Sequence, residues 1–408
     1  MAMILIKRLP GLFYTYRYTV YSIIILTCTF VYLLFKWNLL CTNFQAWQHA
    51  NRMCKLYNQG KAMGSLCAPM CSNNDIRSIT CHTFGTTKEA VFSAEWHHTR
   101  LVFKSVSSDV RSLHWFDNGA LKYPTEKEFL STIRAVVKSK LNITLAHNGA
   151  VRLTRLKPSY EETDISKRQK EMDNLWILVQ DNEYLLSTIY TDKDIFPQLL
   201  GTCGPYFAVE YVEPVQDVSS LLSVSDTKED WANRLKTSVQ MLELLDELET
   251  GFREPFHLCD IKLEHFGVVK GTNKLKFIDL DGVYPRSVIN KIVSNTHNCN
   301  KDEDCDFYDC RSKCLKQYNK CESSVSNNNL QIVCEKIFLG WRLSNTVIVP
   351  GLLMSQHTPA ALASVLRQCA NPQNEDRKPR TSPENEIKKR LINVLTEIEQ
   401  SVNDDFFL

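Results

Sequence analysis

The stretch "PFHLCDIKLEHFGV", residues 255–268, sets Asp260, Lys262 and Glu264 alternating with apolar residues, with His265 five residues after Asp260. A strong amphipathic helical pattern, "WANRLKTSVQMLELLDELE" at 231–249, leads into it. Nineteen residues after Asp260, the short strand pattern "KLKFIDLDGV" (274–283) ends in Asp279, Leu280, Asp281 and Gly282. Taken alone, Asp279 and Asp281 read as turn and capping acids. Placed after an Asp-x-Lys loop at this spacing, they read as chemistry. One acid can orient a hydroxyl, a lysine can meet an anion, and the second pair of acids can hold a divalent cation.

The rest of the chain sets the surroundings. It has 408 residues, 44% hydrophobic and 23% charged, with a net charge of +2, which gives no reason to expect a nucleic-acid partner. No Asp or Glu precedes Asp75, whereas Lys7, Arg8, Arg17 and Lys36 flank the uncharged run "YTVYSIIILTCTFVYLLF" at 18–35. That run is close to membrane-spanning length. A cleaved signal peptide is the competing reading, but the run is long and the following "FKWNLLC" has no small-residue cleavage site. With three basic residues before the run and one after, 1–17 is expected in the cytosol, 18–35 as a signal-anchor, and the bulk of the chain in the lumen. Tyr14, Tyr16, Tyr18, Trp37 and Trp47 would suit the interfaces.

Cysteine usage points the same way. Of 15 cysteines, only Cys28 lies in the apolar run. Cys54, Cys67, Cys71 and Cys81 form one cluster. Cys299, Cys305, Cys310, Cys314, Cys321 and Cys334 form a second, with Cys369 beyond it. Disulfides in an oxidising compartment are expected. Structural zinc is the alternative, though neither cluster shows paired Cys-x-x-Cys knuckles. Asn142-Ile143-Thr144 is a glycosylation sequon that fits lumenal exposure.

Along the chain, 37–82 is Cys-rich without strong periodicity. "AVFSAEW" (90–96) and "RLVFKSV" (100–106) read as strands joined by a short His-rich turn. A helix is expected over 125–141, capped by Thr125 with Glu128 completing a capping box. Residues 142–172 read as an exposed polar insertion, 174–190 as a helix, and 197–213 as strand, Gly turn, strand. A helix is expected near 384–400, after a disordered-looking linker "NPQNEDRKPRTSPEN".

Strands first and helices later are compatible with an α+β fold of the two-lobed protein-kinase type, with lobes at 83–213 and 214–408. Phosphoryl transfer needs a positioned acceptor and positive charge around the transferring group. In that scheme Asp260 is the catalytic base, Lys262 a phosphate ligand and Asp279 a metal ligand. Lys104, in "RLVFKSV", is the strand lysine for the nucleotide phosphates, with Glu183 of "QDNEYLLSTIY" as its partner. Glu126 and Glu128 are rivals for that partnership. A lysine in an apolar strand is more often a snorkelling residue.

The pattern also departs from a protein kinase. His265 stands where the catalytic loop normally carries a metal-binding Asn. Mg²⁺ prefers oxygen and Mn²⁺ accepts nitrogen more readily, so the expected cofactor is ATP with Mn²⁺ or Mg²⁺, tilted toward Mn²⁺. The alternative is that His265 only packs beside the loop. The phosphate loop "CHTFGTTKEAVF" has a single glycine, Gly85. Cys259 replaces the Arg of His-Arg-Asp. No Ala-Pro-Glu follows Asp279, so a phosphorylation-switched activation loop is not expected.

The whole set resembles the divergent protein kinase domain 1 family, cysteine-rich type II membrane proteins of the endoplasmic reticulum with a kinase-like lumenal region. The resemblance rests on the anchor, on Cys54, Cys67, Cys71 and Cys81 at their spacings, and on "NEYLL", "LLGTCG", "CDIKLEHFGV" and "CNKDEDCDFYDCRSKC". It implies a secretory-pathway kinase-like protein acting on an unknown lumenal protein or glycan, or a pseudokinase scaffold binding nucleotide or a partner. Family members can carry an EF-hand-like calcium loop. Here "SYEETDISKRQKE" lacks the alternating oxygen pattern, and no such calcium site is expected.

Overall fold

The computed structural model describes residues 16, 19, 21–29, 42–83, 88, 90–106, 112–154, 156, 164–215, 226–295, 298–343 and 346–406. They form two compact units. The smaller is Met1–Asp109 with Gly201–Ala208, and the larger is Val110–Leu200 with Val209–Leu408. Residues 110–200, placed before the 213 boundary in the sequence reading, thus cluster with the larger unit.

Most of the apolar run 18–35 lies outside the described residues. Residues 21–29 are helical, with Ile23, Ile24, Ile25 and Leu26 exposed. Among the described residues no helix is long and apolar enough to cross a membrane.

The smaller unit begins with helix α1, Asn43–Asn58, capped by Thr42 and Gln45 in a capping box. This corrects the expectation of an aperiodic 37–82. The buried face is Ala46, Ala50 and Met53, a helical stripe too weakly apolar to stand out by hydropathy. The unit's sheet contains β1 (Ile76–Thr83), β2 (Val91–Trp96), β3 (Thr99–Ser105), β4 (Leu199–Cys203) and β5 (Tyr206–Glu210), in the order β1-β2-β3-β5-β4. Phe92 and Phe103 stack across β2 and β3, with Tyr206 beside them, all fully buried. Disulfides staple this unit. Cys54–Cys71 ties α1 to the short helix Cys67–Cys71, and Cys67–Cys203 ties that helix to β4.

In the larger unit, α2 (Glu126–Leu141) has the expected Thr125–Glu128 capping box. The described residues of the polar insertion are largely helical. It holds α3 (His147–Thr154), whose Ala150 and Leu153 are buried, and its charge run opens α4 (Ile165–Val179) under the Asp164 cap. The expected helix 174–190 is two helices. Asp181 accepts from the Tyr184 amide and starts α5 (Asn182–Ile189). α6 spans Lys228–Thr250, α7 Arg286–Ser294, α8 Ala360–Ala370 and α9 Asn385–Phe406. The linker before α9 is pinned rather than loose. Arg380 is 4% exposed, pairs with Asp306 and donates to the Ser312 carbonyl.

Four disulfides lie in this unit: Cys259–Cys310, Cys299–Cys314, Cys305–Cys321 and Cys334–Cys369. Cys81, in the smaller unit, is disulfide-bonded as well. The sulfurs of the second cluster are thus consumed by bridges, which disfavours the zinc alternative. Among the described residues the free cysteine is Cys28.

Candidate active site

Two antiparallel ladders in the larger unit create the site. β7 (Phe256–Leu258) pairs with β10 (Val283–Pro285), and β8 (Phe266–Val268) pairs with β9 (Leu275–Phe277) and, on its other edge, with β6 (Glu213–Pro214). The chain between β7 and β8 is Cys259–His265, and the chain between β9 and β10 is Ile278–Gly282. Both loops therefore run from the same ladder to the same ladder, which forces them side by side. The Cys259 amide donates to the Gly282 carbonyl at 2.8 Å, and the Ile278 amide to the His265 carbonyl at 2.7 Å. A side chain at Gly282 would come within 3.2 Å of the Asp260 Cβ, so the glycine permits the close approach.

Asp260, His265 and Asp279 meet there, with one ligand atom of each within 4.8 Å of the others. His265 Nδ1 lies 3.0 Å from the Asp260 carbonyl oxygen, and its Nε2 lies 3.3 Å from Asp279 Oδ2. A backbone carbonyl only accepts, so Nδ1 carries a hydrogen. In the neutral ring Nε2 is then a lone pair facing a carboxylate, an arrangement that a shared cation or an added proton resolves. The ring also meets Phe277 edge-on at 6.0 Å. Packing beside the loop and facing the acid are therefore both true of His265.

A second group, Glu183, Asp279 and Asp281, also converges within 4.8 Å. Glu183 sits in the first turn of α5 and is 1% exposed. The preceding residue on that helix, Asn182, anchors the acid loop by donating to the carbonyls of Leu280 and Val283, each at 2.9 Å. The Asp281 amide donates to Asp279 Oδ1 at 3.3 Å, so the turn-acid role is also real. Two carboxylates with an imidazole, and three carboxylates, are donor sets that fit divalent cations.

Lys262 Nζ lies 3.0 Å from Asp260 Oδ2. Partial burial opposes its charge. The hydrogen bond to Asp260 and the charges of Asp260, Glu264 and Asp279 outweigh that and raise its pKa above the ordinary lysine value. Lys104 lies on β3 of the smaller unit, paired across to Val91 and 9% exposed. It and Glu183 belong to different units. The rival acids are occupied elsewhere, Glu128 in its cap and Glu126 beside Arg168. Gly85 lies outside the described residues.

Asn142 takes the left-handed C-cap of α2, and its Nδ2 donates to Glu254 Oε1 at 3.1 Å and Ser287 Oγ at 2.9 Å. Cys203, Cys259, Asn182 and Asp309 were not singled out as structural ties from sequence. The signal for Cys259 was the odd count from Cys299 to Cys369, which requires a partner outside that cluster if all are bridged; the even first cluster gave no such signal for Cys203. Asn182 and Asp309 act on backbone groups far away in sequence, and no spacing announces that.

Residues 7–154 match the family model described as the N-terminal cysteine-rich ER region of FAM69, and residues 175–372 match the protein-kinase domain of FAM69. Among solved structures, a chain from Mycobacterium tuberculosis, Rv3197 in complex with erythromycin, is 15% identical with a TM-score of 0.24. The alignment covers 52% of this chain and 47% of that one, a likeness too slight to bear on the site. Matched over most of its length by the two FAM69 models, the chain belongs to the FAM69 family, the cysteine-rich, divergent kinase-like group that its motifs resemble.

Proposed function

We propose that the protein is a metal-dependent phosphotransferase of the secretory pathway, moving the γ-phosphoryl group of ATP to a hydroxyl on a lumenal protein or glycan. The observation that carries this reading is the convergence of Asp260, His265 and Asp279 beside Lys262. In the proposed reaction the Asp260 carboxylate orients the acceptor hydroxyl and takes its proton. The acceptor oxygen–phosphorus bond forms, the bond to the bridging β,γ-oxygen breaks, and ADP leaves. Lys262 supplies positive charge around the transferring group. Asp279, with His265 and Asp281, would hold a divalent cation, which neutralises phosphate charge when bound.

An uncleaved anchor at 18–35 would place this site in the lumen. The exposed apolar residues of 21–29 and the disulfides support that topology. A glycan on Asn142 would replace an amide hydrogen that the folded chain spends on Glu254 and Ser287, so attachment has to precede folding.

The test uses the full chain with γ-labelled ATP, Mn²⁺ and a secretory-pathway protein and glycan fraction. Wild type is expected to transfer label, and Asp260→Asn to bind nucleotide but lose transfer by at least about a hundredfold. Binding without transfer in wild type would replace this reading by the nucleotide-binding scaffold.

A further inference from the structure

We propose that Asp309, braced by the Cys259–Cys310 disulfide, is a positioning residue that sets the Asp260 loop so that His265 and Asp279 can bind metal; this rests on the reading of His265 and Asp279 as metal ligands. Asp309 holds both peptide planes that flank Asp260. Its backbone N–H donates to the Cys259 carbonyl at 2.7 Å, which fixes the plane before Asp260. Its carboxylate Oδ2 accepts from the Ile261 N–H at 2.8 Å, which fixes the plane after it. The neighbouring Cys310 is bonded to Cys259, and both are buried, at 2% and 0% exposed. With both planes held, the Asp260 carbonyl is aimed at His265 Nδ1, and that bond turns Nε2 toward Asp279.

Asp309 is itself gripped. Lys336 Nζ lies 2.7 Å from the same Oδ2, and Asn327 donates to the Asp309 carbonyl at 2.9 Å. Asn327 also accepts from the Arg311 amide at 2.9 Å, and the Arg311 guanidinium pairs with Glu335 at 2.7 Å. Glu335 and Lys336 are neighbours in a π-helical turn, Val333–Phe338, which presents both to the 309–311 segment. A loop that lacks the Arg of His-Arg-Asp is thus held by a covalent, oxidised brace. Groups that orient first-contact ligands typically change metal affinity by about 10–100-fold when removed.

The test measures Mn²⁺ affinity of the full, oxidised chain in detergent, with Mn²⁺ alone and with Mn²⁺ plus ATP. Asp309→Ala is expected to weaken Mn²⁺ binding about tenfold or more. Asp309→Asn, which keeps an oxygen for the Ile261 amide, should stay within about threefold of wild type, a rescue that general destabilisation would not produce. Hydrogen exchange should rise over 258–266 in the alanine variant while β2 and β3 keep their protection. If Asp309→Ala does not fold, Lys336→Met, at the outer end of the ion pair, carries the test with a loss of about threefold. A folded Asp309→Ala, or a Lys336→Met, with wild-type affinity overturns the proposal and leaves the site standing. Absence of Mn²⁺ binding in wild type itself would instead remove the metal site, and this role with it.

Discussion

Burial first, and then the Arg286 guanidinium, push the His257 imidazole down to about 4, from an ordinary value near 6.5. Arg286 Nε donates to its Nε2 at 3.3 Å, so the ring is held neutral three residues before Asp260. Between those two values the unfolded chain takes a proton that the folded chain refuses. Stability is therefore full above about pH 6.5 and falls by about 3 kcal/mol as pH drops toward 4. His257→Gln should flatten that acid limb in equilibrium unfolding, and an unchanged limb would contradict the assignment. Asp260, Lys262, His265 and Asp279 were legible because they are polar positions in apolar loops at telling intervals. What those intervals could not convey is how the residues are aimed. His265 is oriented by a main-chain carbonyl, and the acid loop by Asn182, 98 residues before Leu280.

Elements with a conventional signal were legible to within a residue or two. The strands around Phe92 and Phe103 and the α2 capping box are examples. Elements whose burial depends on small residues were not, as with the Ala46, Ala50, Met53 stripe of α1. The break between α4 and α5 was missed because apolar runs flank it on both sides, and the polar Gln180–Glu183 stretch between them, with its Asp181 cap, passes for the polar face of one helix. Disulfides join elements over very different lengths of chain. Cys67–Cys203 closes 136 residues and Cys54–Cys71 closes 17. In the loop-entropy account, paired Cys→Ser changes should cost about 5 kcal/mol at the first and about 3 at the second. Denaturant unfolding of the two double variants checks this, and the reverse order would contradict it.

For the molecule as a whole, the family and the oxidised cysteines agree on a secretory-pathway protein with a kinase-like region. Of the described cysteines, Cys28 alone should react with maleimide in the native, unreduced chain, and several reactive sites would contradict the bridge pattern. The α+β, kinase-like class was readable from two acid loops and the order of strands and helices. The pairing of bridges was not, because it depends on which elements the fold brings together. The central claim is that Asp279 and its neighbours form a metal-dependent nucleotide site. The direct measurement is the thermal unfolding midpoint of the full chain with ATP, titrated with Mn²⁺ and separately with Mg²⁺, in wild type, Asp279→Ala and His265→Asn. ATP is expected to raise the midpoint of wild type only with metal, and more with Mn²⁺ than with Mg²⁺. Asp279→Ala should lose the shift, and His265→Asn should swing the preference toward Mg²⁺. A folded wild-type chain whose midpoint ATP does not move with either metal would contradict it.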